Sequence, residues 1–227
     1  MSDSASLPDT PERILDAAEA LFAERGVEAT SMRAITQRAG ANVAAVNYHF
    51  GSKEGLLQAV LRRRLDSLNA RRIAQLDAAE AGAGGAARVK PHLVVQAFFA
   101  PAIALAADRT GGGQAFMRLL ARSSGNPAQF LREFLAAENS AVMERFSAAF
   151  ARAMPDVPPQ EVLWRFHFML GAFSYAIMGV DNLRLLTGVD VDGEDAWARL
   201  PDRLMAFLLG GLRAPLPGLA PPGDSAS

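Results

Sequence analysis

Apolar residues recur three and four positions apart through most of the chain, and no stretch sustains the alternation of a half-buried strand. The pattern predicts an all-α protein. Ile14, Ala17, Ala18, Leu21 and Phe22 form the inner face of a first helix, with Thr10 as N-cap, Pro11 in the first turn and Gly26 as stop. A second, short helix is expected from about Ser31 to Ala39, capped by Thr30, with Met32 and Ile35 inward and Gly40 as terminator. A third runs from about Ala44 to Phe50, with Val43, Val46 and Phe50 on one side. Ser52 then caps a long fourth helix, about 52 to 77, whose stripe holds Leu56, Leu57, Val60, Leu61, Leu65 and Leu68.

The run AGAGGAA at 81–87 breaks the pattern and reads as a loop after the fourth helix. Further helices are expected at roughly 91–108, 113–123, 127–154, 159–180 and 195–212, with loops at Gly111–Gly113 and Gly188–Gly193. The helices divide into two domains, 10–55, a unit of three helices, and 56–213, a larger helical unit. The proline-rich stretch 214–227 reads as a disordered tail.

Composition removes several function classes. There is no cysteine among the 227 residues, which excludes disulfides, thiolate catalysis and cysteine-ligated metal. Met1–Asp9 carries no signal-like apolar stretch, and the uncharged run Phe166–Val180 falls short of the roughly 18–20 residues of a membrane span. A cytoplasmic protein without a membrane partner is expected. No nucleophile–base pair, metal-ligand spacing or nucleotide-binding loop is visible, so no catalytic residue, metal or cofactor is assigned. An all-helical enzyme acting on a lipid-like substrate is the rival from another class. The formal net charge is −1, so any attraction for nucleic acid must come from local charge.

Thr30–Phe50, two short helices joined through a glycine, has helix-turn-helix form. With Val43, Val46 and Phe50 inward, Ala44, Ala45, Asn47, Tyr48 and His49 are left for DNA. Small residues at 44 and 45 allow close approach to the major groove, Asn47 suits a base edge, and Tyr48 and His49 suit phosphate oxygens. Lys53 joins a helix N-terminus as a phosphate anchor, and Arg33 and Arg38 add charge.

Arg13–Val60 resembles the TetR-family DNA-binding domain throughout, in Ala18–Gly26 (AEALFAERG), Thr30, Ala39-Gly40 and Asn47–Lys53 (NYHFGSK). The resemblance implies a homodimer on double-stranded operator DNA, recognition through Ala44, Ala45, Asn47, Tyr48 and His49, Lys53 on a phosphate, and backbone contacts from Thr30, Ser31 and Arg33. It also implies a repressor relieved by a small apolar effector, and dimerisation through the last two helices. Trp164, Phe168 and Leu204 are the expected interface anchors, and Gly171 a point of close helix approach.

Phe116–Leu120 (FMRLL), Trp164–Ala172 (WRFHFMLGA), Pro158-Pro159 and Asn42–Lys53 are similar to the PsrA-type subgroup of TetR regulators, which respond to long-chain fatty acids. That likeness implies an effector pocket lined by Phe116, Met117, Leu120, Phe168, Met169, Ala172 and Tyr175. Arg118 and His167 are candidate partners for a carboxylate, against ordinary structural roles for both. Eleven of the 13 phenylalanines and six of the eight methionines follow position 90, as either a core or an adaptable apolar wall would require. An aromatic or multidrug-like effector fits that composition as well.

Overall fold

The computed structural model describes residues 10–108, 112–125, 129–178, 188 and 194–216. These residues hold nine α-helices and no strand. They are α1 (Thr10–Arg25), α2 (Met32–Ala39), α3 (Val43–Phe50), α4 (Lys53–Gly82), α5 (Pro91–Ala107), α6 (Gly113–Gly125), α7 (Gln129–Ala153), α8 (Pro159–Met178) and α9 (Glu194–Leu212). A single 3-10 turn, Ala86–Arg88, follows α4. Met1–Asp9, Gly111, Gly179-Val180, 189–193 and residues 217–227 of the expected tail lie outside the described residues.

Side-chain caps fix the short helices. Ser31 Oγ accepts from the Ala34 N–H at 3.2 Å and Asn42 Oδ1 from the Ala45 N–H at 2.7 Å. The cap of α2 is therefore Ser31 and not Thr30. The Thr30 hydroxyl instead donates to the carbonyls of Gly26, 2.7 Å away, and Leu21, 3.2 Å away, tying the end of α1 to the start of α2. Gly40 ends α2 at φ 61°, a left-handed conformation that costs glycine little, and its N–H reaches back to the helix. A Cβ at Gly55 would run into the Phe50 carbonyl, so glycine lets α4 start hard against the end of α3. Asn42→Ala removes one cap and is expected to lower stability by about 1 kcal/mol, read from urea unfolding.

The head, α1 to α3, closes around Ile14, Ala18, Phe22, Ile35 and Val46, all but fully buried, against Leu56, Val60 and Leu61 of α4. The larger unit is built on α4, which packs chiefly on α5 and also on α1 and α7, while α9 lies on α5 and α8. Its centre is aromatic. Phe98 of α5 meets Phe99, Phe146 and Phe166 edge-on at ring distances of 5.0, 5.1 and 4.9 Å, joining α5, α7 and α8.

Helix α4 runs five residues past the expected end at 77. The extra turn carries Glu80, which with Asp77 holds Arg145 of α7 and alone holds Arg152. At its other end, α4 is joined to α1 through buried Glu19, bonded by Arg63 at 2.7 Å and Arg64 at 2.6 Å. One helix thus links the head to the far end of the second unit.

Hydrogen bonding from Arg145 holds the Glu80 carboxyl below its ordinary pKa, with burial opposing. Its contribution to stability is complete above the unfolded glutamate pKa of about 4.3 and is lost as pH falls through the lowered folded value. The stability advantage of the native protein over Glu80→Gln should be constant above about pH 5.5 and shrink below about pH 4. Urea midpoints of both proteins across that range check it.

Candidate nucleic-acid interface

On α3, Val46 alone is fully buried, and Ala45 and Phe50 are half-buried against the core. Asn42, Val43, Ala44, Asn47, Tyr48 and His49 stand out on one side, with Tyr48 85% exposed and its ring edge-on to His49 at 5.0 Å. A tyrosine so exposed stabilises the fold little, whereas beside an amide and small residues on a protruding helix it can meet a groove. Arg33 of α2 is exposed on the neighbouring helix, and exposed Ser31 is occupied by its cap. Arg38 is paired with Glu24 at 2.8 Å. Lys53 is half-buried, its Nζ donating to the Glu28 carbonyl over a long 3.4 Å.

Three expectations need correction here. Thr30 is 1% exposed with its hydroxyl already bonded, so its side chain does not reach a DNA backbone. Ala45 packs partly inward rather than facing out. Val43, expected inward by spacing, is 45% exposed, because it opens the helix ahead of Ala45, Val46 and Phe50, which turn to the core. Gln37, exposed on α2, escaped the sequence reading altogether.

In the second unit the expected pocket residues separate. Phe116, Met117 and Met169 are buried, Leu120 and Ala172 are half-buried, and Phe168 and Tyr175 stand on the outer face of α8. An apolar cavity of about 430 Å³ lies instead between the end of α7 and the start of α8, beside the turn that joins them. Met143, Phe146, Phe150, Met154, Val157, Val162, Leu163 and Phe166 line it, and Ser147 is its only hydroxyl among the described residues. None of the seven expected pocket residues belongs to it. Arg118 and His167 are exposed, so neither is a buried partner for a ligand.

The outer face of α8 carries Leu163, Trp164, Phe168 and Tyr175, beside Phe207 of α9, which is 68% exposed. Trp164 and Phe168 stack at 5.6 Å. Gly171 lies on the same side with open space where a Cβ would stand. Leu204, expected as an interface anchor, is 6% exposed because it turns into its own protomer's core.

The family profile described as "Bacterial regulatory proteins, tetR family" matches residues 14–60, and "Tetracyclin repressor-like, C-terminal domain" matches residues 96–211. The chain belongs to the TetR family. The HTH-type transcriptional repressor KstR2 of Rhodococcus jostii (strain RHA1) is 46% identical over 55 residues, 24% of this chain and 27% of KstR2. The chain thus spans about a quarter of that relative's length. Among solved structures, the fatty acid degradation regulator FadR from Bacillus halodurans superposes with a TM-score of 0.65 at 14% identity, covering 92% of this chain and all of FadR. FadR from Bacillus subtilis, in complex with stearoyl-CoA, gives 0.63 at 14% identity, covering 88% of this chain and 98% of that one. At such identities the likeness is one of fold.

Arg72 is a feature of this TetR protein that the sequence reading passed over. It occupies the apolar stripe of α4 between Leu68 and Leu76 and is buried. The signal was an arginine at the four-residue step of a leucine stripe, where a long cation cannot reach water without distorting the helix contacts.

Proposed function

We propose that this protein is a homodimeric DNA-binding repressor whose operator affinity falls when a long-chain fatty acid or acyl derivative occupies the second unit. The observation that carries the reading is mechanical. A head with Asn47, Tyr48 and Ala44 exposed is pinned through Glu19 to α4, and the far end of α4 is pinned through Glu80 to α7, one wall of the apolar cavity. A ligand that moves α7 relative to α8 therefore acts on the helix that carries the head.

Asn47 suits a base edge, Tyr48 and His49 suit phosphates, and Ala44 suits a thymine methyl. Arg33 and Lys53 add local charge to a chain of net charge −1. Truncating Arg33 to Ala should weaken binding evenly across sequences and reduce the salt slope by about 1, read from anisotropy at several salt concentrations. The exposed apolar face of α8 and α9 supports dimerisation through those helices, with Phe207 in the place expected of Leu204.

The acyl effector is supported by the volume and apolar lining of the cavity, which lies in the range of small-molecule sites. The likeness of FMRLL and WRFHFMLGA to the PsrA-type subgroup points the same way, as does the stearoyl-CoA bound by Bacillus subtilis FadR. Fluorescence anisotropy of the purified protein on the DNA upstream of its own gene, with and without palmitate, tests this reading. Saturable binding that palmitate weakens is the expected result. Specific binding that palmitate leaves unchanged, while an aromatic compound weakens it, would replace the acyl effector with an aromatic one.

A further inference from the structure

A buried cation is costly unless an anion or a dense set of acceptors compensates it. Arg72 has little of either. Its Nε donates to the Phe98 carbonyl at 3.0 Å and its Nη1 to Asn69 Oδ1 at 3.1 Å, while Asn69 in turn bonds Asn139 of α7 at 3.3 Å. No carboxylate pairs with it among the described residues, although Arg63, Arg145 and Arg165 all have acids. Burial pushes its guanidinium down to about 10, so it is still charged at neutral pH. A cross-link among α4, α5 and α7 does not call for a charge, since Asn69 and Asn139 already bridge α4 and α7 with neutral groups.

The surroundings of Arg72 show which anion would fit. Its guanidinium lies 3.9 Å from the centroid of the Phe98 ring. The same ring meets Phe146 and Phe166, and both of those line the cavity between α7 and α8. The Phe98 ring, and behind it the cavity-lining rings of Phe146 and Phe166, thus separate a buried, acid-free arginine from an apolar cavity that holds no charged side chain among the described residues.

We propose that Arg72 is the anchor for the carboxylate of an amphipathic effector whose hydrocarbon chain lies in the α7–α8 cavity, reached when the rings of Phe98, Phe146 and Phe166 that stand between them part. This rests on the acyl-effector reading above and adds the residue that selects the acid. Guanidinium binds carboxylate through two parallel N–H donors, and in a dry site that pairing is strong. Because Arg72 sits on α4, capture of the carboxylate acts directly on the helix that bears the head.

Calorimetric titration of the full-length protein with palmitate and with methyl palmitate, matched in chain and different in charge, tests the assignment. The native protein should bind the acid at least about tenfold more tightly than the ester, as expected when a charged hydrogen bond is gained. In Arg72→Met the acid and the ester should bind equally, with ester affinity unchanged from the native protein. Arg72→Gln should likewise lose the preference, and it serves if the Met variant does not fold. Equal affinity for acid and ester in the native protein overturns the Arg72 assignment alone. So does an acid preference that survives in a folded variant. Failure of the native protein to bind either ligand overturns the acyl-effector reading together with it.

Discussion

Phe168→Glu is expected to make the protein monomeric and to cut its operator affinity by roughly a hundredfold to ten-thousandfold. Phe168 is 64% exposed, stacked on Trp164 and lining one groove with Phe207, on the apolar face that a second copy would cover. Burying an unpaired charge at the centre of an interface costs more than the contact it replaces gains. Within one protomer the same position is open, so the variant should fold and melt as an isolated chain does. The DNA effect follows from valency. A dimer binds its second half-site at a high effective concentration, and two half-sites lost to one forfeit an advantage on the order of 10²–10⁴. Sedimentation equilibrium with anisotropy on the same samples checks both parts. A variant that stays dimeric would move the interface away from α8.

The second large effect is expected at Asn47. Asn47→Ala should cost about 1–3 kcal/mol of discrimination per half-site, and a symmetric dimer loses it twice. The thermal midpoint should be unchanged, because the side chain is exposed on α3 and makes no hydrogen bond that holds the head together. Tyr48→Phe separates the hydroxyl from the ring. A phosphate contact would lose affinity evenly across sequences, whereas a base contact would change which sequence binds best. An Asn47→Ala protein that binds its operator normally would exclude α3 as the reading helix.

Much of this arrangement was legible in the chain. The glycine stop at Gly40 and the cap at Ser52 placed the end of α2 and the start of α4 to within a residue or two, because both act on the backbone beside them, whereas the caps Ser31 and Asn42 emerged only in the structure. The helices from Pro91 to Leu212 also followed from periodicity, since their apolar stripes are long. Positions decided by distant partners were harder to read. Leu204 and Phe207 are three residues apart on one helix, and only the placement of α9 on α5 and α8 decides that 204 turns inward. The cavity depends on how the end of α7 meets the start of α8, and no local sequence signal sets that packing. Thr30 was misread because it has the chemistry of a cap, while the end of α1 offers it two carbonyls at closer range. Arg72 was missed because an arginine within a leucine stripe reads as a surface residue until α5 and α7 close over it.

The measurement that bears most directly on the central claim is selection of bound sequences from a randomised pool of duplex DNA by the full-length protein. The account predicts enrichment of a two-fold symmetric motif with half-sites about one helical turn apart, or a multiple of it, abolished by Asn47→Ala and by Phe168→Glu. Enrichment of no motif, or of an unsymmetrical one that Asn47→Ala leaves intact, would contradict it.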